Sequence, residues 1–339
     1  MNNLYIALST HHLKYCEMIA EENKNGNNVV ITSDYFDVNT ERFDKVVFLK
    51  KTAYNQSDSI ISKIKNIVDK TSAYKKALKE IDYLKDASKL NLFYSSLEDI
   101  LSNYLFFNFS KNIQGIIIED GVLNYYQHSL KDVSSFNFFL KKVIALSFGL
   151  RLNSYEGHTT GIDYEKVKYQ LVREPRYAIR PEKSKNLPKE KRSLSNLNDN
   201  ILIVGQEPYC SSFGKKVYMD KLIKLVQIIK KNKEFNNEKI IFYKPHRHGP
   251  RIEVKTIEQI FNNNTFQYVE EDISMEDLFF DKIKCKNIYT FDSSAVFSIF
   301  SDSPINIQNE LNINVMPFHK SVLNMLFLKL NFTILSNDI

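Results

Sequence analysis

Short apolar runs, each followed at once by polar or small residues, constrain the fold of this chain more than any other feature. In the first half such runs occupy residues 3–9, 28–33, 46–50 and 113–118, and in the second half 201–205, 239–244 and 286–291. Runs of about four to eight apolar residues are typical of strands whose two faces are both buried. Helical patterns lie between them, at 10–23, 55–82 and 218–231. This alternation predicts an α/β protein with parallel sheets.

The segment 181–200 separates the two halves. It contains two prolines and many charged, Asn and Ser residues, which is the composition of an exposed connector. We therefore predict an N-terminal Rossmann-like domain over 1–185 and a C-terminal one over 186–339, with a last helix that can pack back on the first. Ligands of open parallel sheets bind beyond the carboxyl ends of the strands. A central cleft faced by both domains is the expected site.

Composition excludes several classes of protein. The cysteines Cys16, Cys210 and Cys285 are far apart and lack a CxxC spacing, which argues against a disulfide framework and a zinc site. The N-terminus lacks the basic and apolar regions of a signal peptide, so we expect a cytoplasmic protein. A net charge of +6 is too small to indicate a nucleic-acid partner, but it suits an acidic substrate or an anionic membrane surface.

The apolar and aromatic segment 314–335 has two interpretations. It is either a core helix and strand or a face apposed to a membrane, so peripheral association with the inner face of the membrane stays open. A homodimer also stays open.

An acidic pair follows the strand-like run 113–118. Glu119 and Asp120 precede Gly121, which permits a sharp turn. At a strand end one carboxylate can face the ligand while the other points away, and a carboxylate of raised pKa can accept a proton from a sugar hydroxyl. The alternative is an acidic cap before a turn.

A cationic segment, YKPHRHGPR, follows the run 239–244. Lys244 and His246 stand beside further Arg and His residues, a combination that suits a phosphate and a proton donor to a leaving group. His246 and His248 are two residues apart and no further histidine lies near them in sequence, so a metal site is disfavoured. A polar surface loop is the other interpretation.

Two more strand ends carry small polar residues. Ser293 and Ser294 precede a helical pattern, where hydroxyls and free N–H groups bind anions, although a plain helix cap explains them too. Gly205 permits close approach of a ligand to the backbone. The chain contains neither GxGxxG nor a P-loop, which disfavours dinucleotide and ATP enzymes.

The order of these elements resembles bacterial GT-B sialyltransferases, especially the family of lipooligosaccharide and capsule sialyltransferases. Those enzymes carry an acidic-acidic-Gly motif, a His-Pro motif and a Ser-Ser motif. The matching residues are Glu119-Asp120-Gly121, Lys244-Pro245-His246 and Ser293-Ser294. Arg247 stands where the family has a proline after the histidine. The resemblance spans roughly residues 113–298 and the strand–helix start at 3–20.

The resemblance implies an inverting, metal-independent transfer of sialic acid from CMP-Neu5Ac, a co-substrate, to a terminal galactoside of a bacterial surface glycan. It implies that Glu119 is the general base, with Asp120 as the alternative. It also implies that His246 and Lys244 contact the donor phosphate with Ser293 and Ser294, that Gly205 lies in the donor site, and that Glu271 binds the ribose.

Other functions fit the same residues. The scaffold also suits a transferase for another CMP-nonulosonate or a UDP-hexose, a noncatalytic glycan-assembly protein, or a sugar-nucleotide epimerase. An epimerase needs no acceptor, and a binding protein tolerates loss of the acidic pair and of His246. These alternatives remain open from the residues alone.

Overall fold

The computed structural model describes residues 1–50, 60–129, 135–189, 192, 194, 196–231, 239–246, 249–261, 265–270, 273–318 and 323–335. The chain forms two compact units, Met1–Pro188 (unit 1) and Lys189–Ile339 (unit 2). The division falls within the polar segment 181–200, next to the boundary predicted after residue 185.

Unit 1 is built on a sheet of seven parallel strands in the order β3-β2-β1-β4-β5-β6-β7. Its strands are β1 (Asn2–Ala7), β2 (Asn27–Ser33), β3 (Lys45–Leu49), β4 (Leu90–Tyr94), β5 (Ile113–Ile118), β6 (Val167–Val172) and β7 (Ser184–Asn186). Its helices are α1 (Thr10–Glu22), α2 (Ile60–Glu80), α3 (Ile100–Tyr104), which continues as a π-helical turn to Phe109, and α4 (Ser135–Ser147).

Helices cover both faces of this sheet because its strands are apolar on both sides. In β1, Leu4 and Ile6 enter a core shared with α2, α3 and α4, whereas Tyr5 and Ala7 point the other way and pack with α1. Successive strand residues alternate between faces, so a continuous apolar run feeds two cores at once. The carboxyl ends of the strands are thereby held at one edge of a rigid sheet.

Unit 2 repeats the architecture with six parallel strands in the order β10-β9-β8-β11-β12-β13. Its strands are β8 (Asn198–Val204), β9 (Ile241–Lys244), β10 (Phe266–Tyr268), β11 (Cys285–Thr290), β12 (Asn312–Val315) and β13 (Thr333–Ile334). Its helices are α5 (Pro208–Phe213), α6 (Lys215–Lys231), α7 (Val254–Phe261), α8 (Met275–Asp277), α9 (Ala295–Asp302), α10 (Ile305–Gln308) and α11 (Leu323–Lys329).

The predicted α/β class with parallel sheets is confirmed, but the sequence pattern missed several strands. It gave no strand at β4, whose run LNLFY contains the buried Asn91, or at β6, whose run VKYQLV is polar at alternate positions. Neighbouring strands supply the hydrogen bonds and packing that local apolarity alone does not indicate.

The C-terminal segment contributes to the core of unit 2. Met316, Phe318 and Phe327 are buried, and the Phe327 and Phe332 rings stack at 5.5 Å, so the core interpretation of 314–335 agrees with the structure. None of the helices in the described parts of the chain is long and apolar enough to cross a membrane.

Candidate active site

Glu119, the first residue after β5, is completely buried. Its Oε2 accepts hydrogen bonds from the backbone N–H of Arg173 at 2.7 Å and from the Tyr125 hydroxyl, and its Oε1 pairs with the Arg173 guanidinium. Burial raises the pKa of Glu119, while the Arg173 charge and the Tyr125 hydroxyl oppose that rise. A carboxylate enclosed in this way ties β5 to β6 and is not exposed to solvent.

Asp120 faces the opposite way, as alternation at a strand end requires. Its side chain is 47% exposed, and its Oδ1 lies 3.3 Å from Nε2 of His12. Burial alone would raise the pKa of Asp120, but the hydrogen bond and charge of His12, together with His11, lower it below the ordinary value. Asp120 is therefore ionised at neutral pH and accessible.

The backbone around Asp120 is fixed by a tight turn. Its N–H donates to Oδ1 of Asn124 at 3.0 Å, and its carbonyl accepts from the Leu123 N–H. Gly121 has φ +54°, a conformation that favours glycine. The glycine of the acidic motif thus serves the turn that presents Asp120.

Two histidines in the first turn of α1, His11 and His12, lie near Asp120 at the carboxyl edge of the first sheet. The Ser9 hydroxyl caps the helix by accepting from the His12 N–H at 3.1 Å, which sets the first turn and the position of the His12 ring. Burial and the nearby Arg173 charge lower the pKa of His11 to about 3, so its ring is neutral. The His12 side chain is only 9% exposed, so it contacts the Asp120 carboxylate from the protein interior.

Sequence reasoning missed Arg173, His11 and His12. Arg173 also donates to the Tyr15 hydroxyl at 2.5 Å, so one guanidinium links β6, β5 and α1. The adjacent histidines directly after a strand-like run were a visible signal for this edge, but Arg173 followed a strand that the pattern had not revealed.

At the second sheet, three strand ends that the sequence singled out are neighbours. β8 lies between β9 and β11, so the segment after Val204 stands between the segments that contain His246 and Ser293. The predicted donor-side residues on β8, β9 and β11 therefore meet at the carboxyl edge of one sheet.

A buried glutamate that sequence reasoning missed organises this edge. Glu207 is 2% exposed, and its carboxylate accepts from the Tyr243 hydroxyl at 2.5 Å and from the backbone N–H of His246 at 2.7 Å. Burial raises the pKa of Glu207, and those two hydrogen bonds act against the rise. Glu207 thus fixes the backbone of His246 after β9.

Two glycines make room for Glu207. A Cβ on Gly205 would stand 2.7 Å from both Glu207 Oε1 and the Tyr243 hydroxyl, and one on Gly249, at φ +105°, would stand 2.8 Å from the Glu207 carbonyl carbon. The structure therefore gives Gly205 a packing reason within unit 2, in addition to the predicted role near a donor. Gly249 itself lies against the same turn.

Lys244 and the two serines occupy distinct positions. Lys244 ends β9 and is 8% exposed. Ser293 is buried and its hydroxyl accepts from the Ala295 N–H at 3.3 Å, whereas Ser294 is exposed and is the N-cap residue that precedes α9. Ser294 and the first N–H groups of α9 are therefore the part of this motif that is open to an anion.

Three residues that the sequence singled out cannot be placed. Glu271, Arg247 and His248 lie outside the described residues. Within the described ranges, no group of three or more His, Cys, Asp or Glu side chains is arranged to hold a metal ion.

Two all-parallel α/β units define the class of the protein. The fold is GT-B, and the chain is similar to the crystal structure of a sialyltransferase from Photobacterium damsela, with a TM-score of 0.52 at 13% identity over 99% of this chain and 82% of that one. A second structure, the GT-B domain of a sialyltransferase from Photobacterium damselae, has a TM-score of 0.50 at 12% identity over 93% of this chain and 90% of that chain. A UDP-N-acetylglucosamine 2-epimerase has a TM-score of 0.52 at 9% identity, over 97% and 81% of the two chains.

These identities are low, so the structural likeness concerns the fold. The family is given by the sequence: residues 2–299 match the model of the alpha-2,8-polysialyltransferase (POLYST) family, and the chain belongs to that family. It is a glycosyltransferase of the sialyltransferase type, as the motif order predicted, with a sugar donor and a glycan acceptor. The curated proteins give no match to this sequence.

Proposed function

We propose that the chain transfers sialic acid from CMP-Neu5Ac to a glycan hydroxyl by a single inverting displacement, with Asp120 as the general base. The observation that carries this proposal is the geometry of Asp120, which is ionised, exposed and held by a buried histidine. The acceptor oxygen attacks the anomeric carbon as the bond to CMP breaks, and Asp120 takes the hydroxyl proton. The attack is on the face opposite the leaving group, which inverts the configuration.

The structure favours Asp120 over Glu119, which the resemblance had placed first. The Glu119 carboxylate makes its hydrogen bonds inside the protein, with Tyr125 and Arg173. Taking a proton there would break a buried ion pair, which costs several kcal/mol. Glu119 is accordingly a positioning residue that fixes the strand end from which Asp120 projects.

The leaving CMP carries negative charge on its phosphate, and unit 2 offers groups that suit it. In the proposal, His246, on a backbone fixed by Glu207, contacts the phosphate together with Lys244. Ser294 and the N-terminal N–H groups of α9 donate to the same oxygens, where the helix dipole favours an anion. Groups set in place before the reaction stabilise the developing charge without reorganisation.

The proposed transfer requires no divalent cation, because a lysine, a histidine and a helix N-terminus take the part that Mg²⁺ plays for other nucleotide-sugar enzymes. Glu271 remains the proposed ligand of the donor ribose. Activity in the presence of EDTA is the corresponding expectation.

Two acceptors are in question. The motif resemblance favours a terminal galactoside of a lipooligosaccharide or capsule. The description of the family, alpha-2,8-polysialyltransferase, favours instead an acceptor that ends in sialic acid, so that each transfer creates the next acceptor. Transfer to both would mark a bifunctional enzyme.

A donor screen tests the function. The purified chain is incubated with EDTA, a galactoside or a sialylated oligosaccharide, and CMP-Neu5Ac, another CMP-nonulosonate or a UDP-hexose. CMP release is followed and the product linkage is read by NMR. We expect CMP release that depends on an acceptor, with CMP-Neu5Ac preferred. Turnover of a UDP-sugar without any CMP release would overturn the proposal, and conversion of a sugar nucleotide without an acceptor would indicate an epimerase.

A further inference from the structure

Helix α4 exposes an apolar stripe on the side that faces away from the sheet. Phe136 is 58% exposed, Phe139 64%, Val143 50% and Leu146 66%. Their spacing of three, seven and ten residues from Phe136 places them on one side of the helix. On the other side Ala145 is buried in the core of unit 1. The helix is therefore apolar toward water as well as toward the core.

Helix α2 continues this surface. It packs against α4, and both helices cover the same face of the sheet, so their outward sides face the same direction. Ile61 is 80% exposed and Ile64 37% exposed near its start. The helical repeat places four exposed lysines on this outward side, namely Lys65, Lys75, Lys76 and Lys79. We call the outward sides of α2 and α4 the helix-pair surface.

The charge of the chain is concentrated in these two helices. Together α2 and α4 contain eight lysines and only two acidic residues, Asp69 and Glu80, an excess of six positive charges. The net charge of the entire chain is +6, so the rest of the molecule is neutral on balance. All six lysines of α2 are exposed. The modest net charge of the chain therefore corresponds to a strong positive charge on α2 and α4.

We propose that the helix-pair surface docks on an anionic lipid bilayer. Exposed Phe and Leu side chains insert at the boundary between headgroups and acyl chains, while the lysines around them pair with anionic headgroups. A contiguous apolar patch with cationic surroundings is costly to leave in water, and a bilayer satisfies both properties at once. This docking is independent of the transfer chemistry assigned to Asp120 and His246.

A second copy of the chain is a poorer occupant. A two-fold contact joins the same patch on both subunits, so the lysines of one helix-pair surface would face those of the other. Like charges brought together at an interface oppose association. Anionic lipid supplies the opposite charge.

Vesicle flotation of the full chain tests the proposal. We expect binding to vesicles of phosphatidylcholine with phosphatidylglycerol, much weaker binding to phosphatidylcholine alone, and release as NaCl is raised, because salt screens surface charge. Equal binding to neutral and anionic vesicles, or no binding to either, would overturn it.

Substitutions on the helix-pair surface locate the contact. Phe139→Ser with Leu146→Ser, and separately Lys75→Gln with Lys76→Gln, should each weaken anionic-vesicle binding by roughly tenfold or more, since each lysine near such a surface contributes about fivefold. These side chains are exposed, so folding and CMP release with a soluble acceptor should be unchanged.

Matched controls lie in unit 2. Ile305→Ser removes an apolar side chain that is 71% exposed, and Lys230→Gln with Lys231→Gln removes two exposed lysines of α6; neither should alter vesicle binding. Equal losses in the controls, or none in the helix-pair variants, would refute the location. A dimer seen by analytical ultracentrifugation that the helix-pair substitutions dissociate, without vesicle binding, would show that the surface is a protein interface instead.

Discussion

Glu119 in unit 1 and Glu207 in unit 2 occupy closely similar positions. Each lies just beyond an inner strand of its sheet and is buried. Each accepts at 2.7 Å from a backbone N–H within two residues of the end of a neighbouring strand, that of Arg173 or His246. Each carboxylate also accepts a hydrogen bond from a tyrosine hydroxyl, that of Tyr125 for Glu119 and that of Tyr243 for Glu207. In both sheets a hidden glutamate joins two strand ends.

The two glutamates differ in charge compensation. Glu119 is paired with the buried guanidinium of Arg173. Glu207 is held instead by neutral donors, the Tyr243 hydroxyl and peptide N–H groups, and the Arg251 charge acts on it more weakly than those hydrogen bonds. Removing the Glu119 carboxylate would leave the buried Arg173 cation without its counter-charge. Removing the Glu207 carboxylate would release only the backbone at His246. The difference indicates that the first glutamate acts mainly on stability and the second on the geometry of His246.

The largest expected effect is on folding. Glu119→Gln leaves Arg173 buried without its counter-charge, and we expect the free energy of unfolding of unit 1 to fall by about 3–5 kcal/mol. Urea unfolding monitored by circular dichroism measures it. The control is Asp82→Asn, which breaks an exposed pair with Lys85 and should change stability by less than about 1 kcal/mol. Equal stability of Glu119→Gln and the wild type would abolish the contrast between the two glutamates.

The next effect is on donor binding. Glu207→Gln keeps the side-chain volume but replaces an acceptor oxygen with a donor. The hydroxyls of Tyr218 and Tyr243 and the His246 N–H form one hydrogen-bonded network around residue 207, and with one acceptor fewer they cannot all be satisfied. A buried donor left unpaired costs about 1–3 kcal/mol, which predicts a donor KM raised by roughly tenfold, with kcat less affected. Glu258→Gln, on the exposed side of α7, is the control and should leave KM unchanged.

The pH dependence of donor binding separates this role from a merely structural one. Because the pKa of Glu207 is raised, its carboxylate takes up a proton earlier than an ordinary glutamate as the pH falls, and an acceptor site for the loop is lost. The donor KM of the wild type should rise at acidic pH, and the Glu207→Gln variant should lose that part of the dependence. A variant profile parallel to that of the wild type would contradict this role.

A smaller effect concerns His12. In His12→Phe the hydrogen bond that lowers the pKa of Asp120 is absent and burial remains, so the pKa of Asp120 rises. A base of higher pKa is deprotonated only at higher pH, and the acidic limb of the kcat/KM profile should move upward. Because Asp120 stays ionised at neutral pH, we expect little change there and a loss of about fivefold on the acidic limb, the scale of one modest hydrogen bond. His128→Phe, which removes the partner of Glu98, should leave the limb in place.

The sequence predicted the strand ends but not the contacts that join them. Each of these apolar runs predicted a strand without information from the rest of the chain, and the polar residues that follow β5, β8, β9 and β11 were located correctly. Arg173 and Glu119 are 54 residues apart and meet only through the pairing of β5 with β6, which local patterns do not encode. Glu207 lies two residues after Gly205, which the sequence had singled out, yet its burial depends on Gly205 and Tyr243 together.

The choice between Glu119 and Asp120 illustrates the same limit. Alternation at a strand end predicts that one carboxylate points inward and the other outward, and the structure has this arrangement. Which residue points inward depends on the register of β5 against β6, where Ile118 pairs with Leu171, and on Arg173 beyond it. The sequence could therefore predict the pair but not the division of roles.

The rate of sialic acid transfer by Asp120→Asn tests the central claim most directly. With CMP-Neu5Ac and an acceptor at saturation, and with unfolding transitions compared to confirm an intact fold, we predict a kcat about 10²-fold or more below that of the wild type, the scale of a lost general base. Folded Glu119→Gln, measured at a temperature where it is native, should keep far more of its activity. Near-full activity in Asp120→Asn, with an inactive but folded Glu119→Gln, would contradict the assignment of Asp120 as the base.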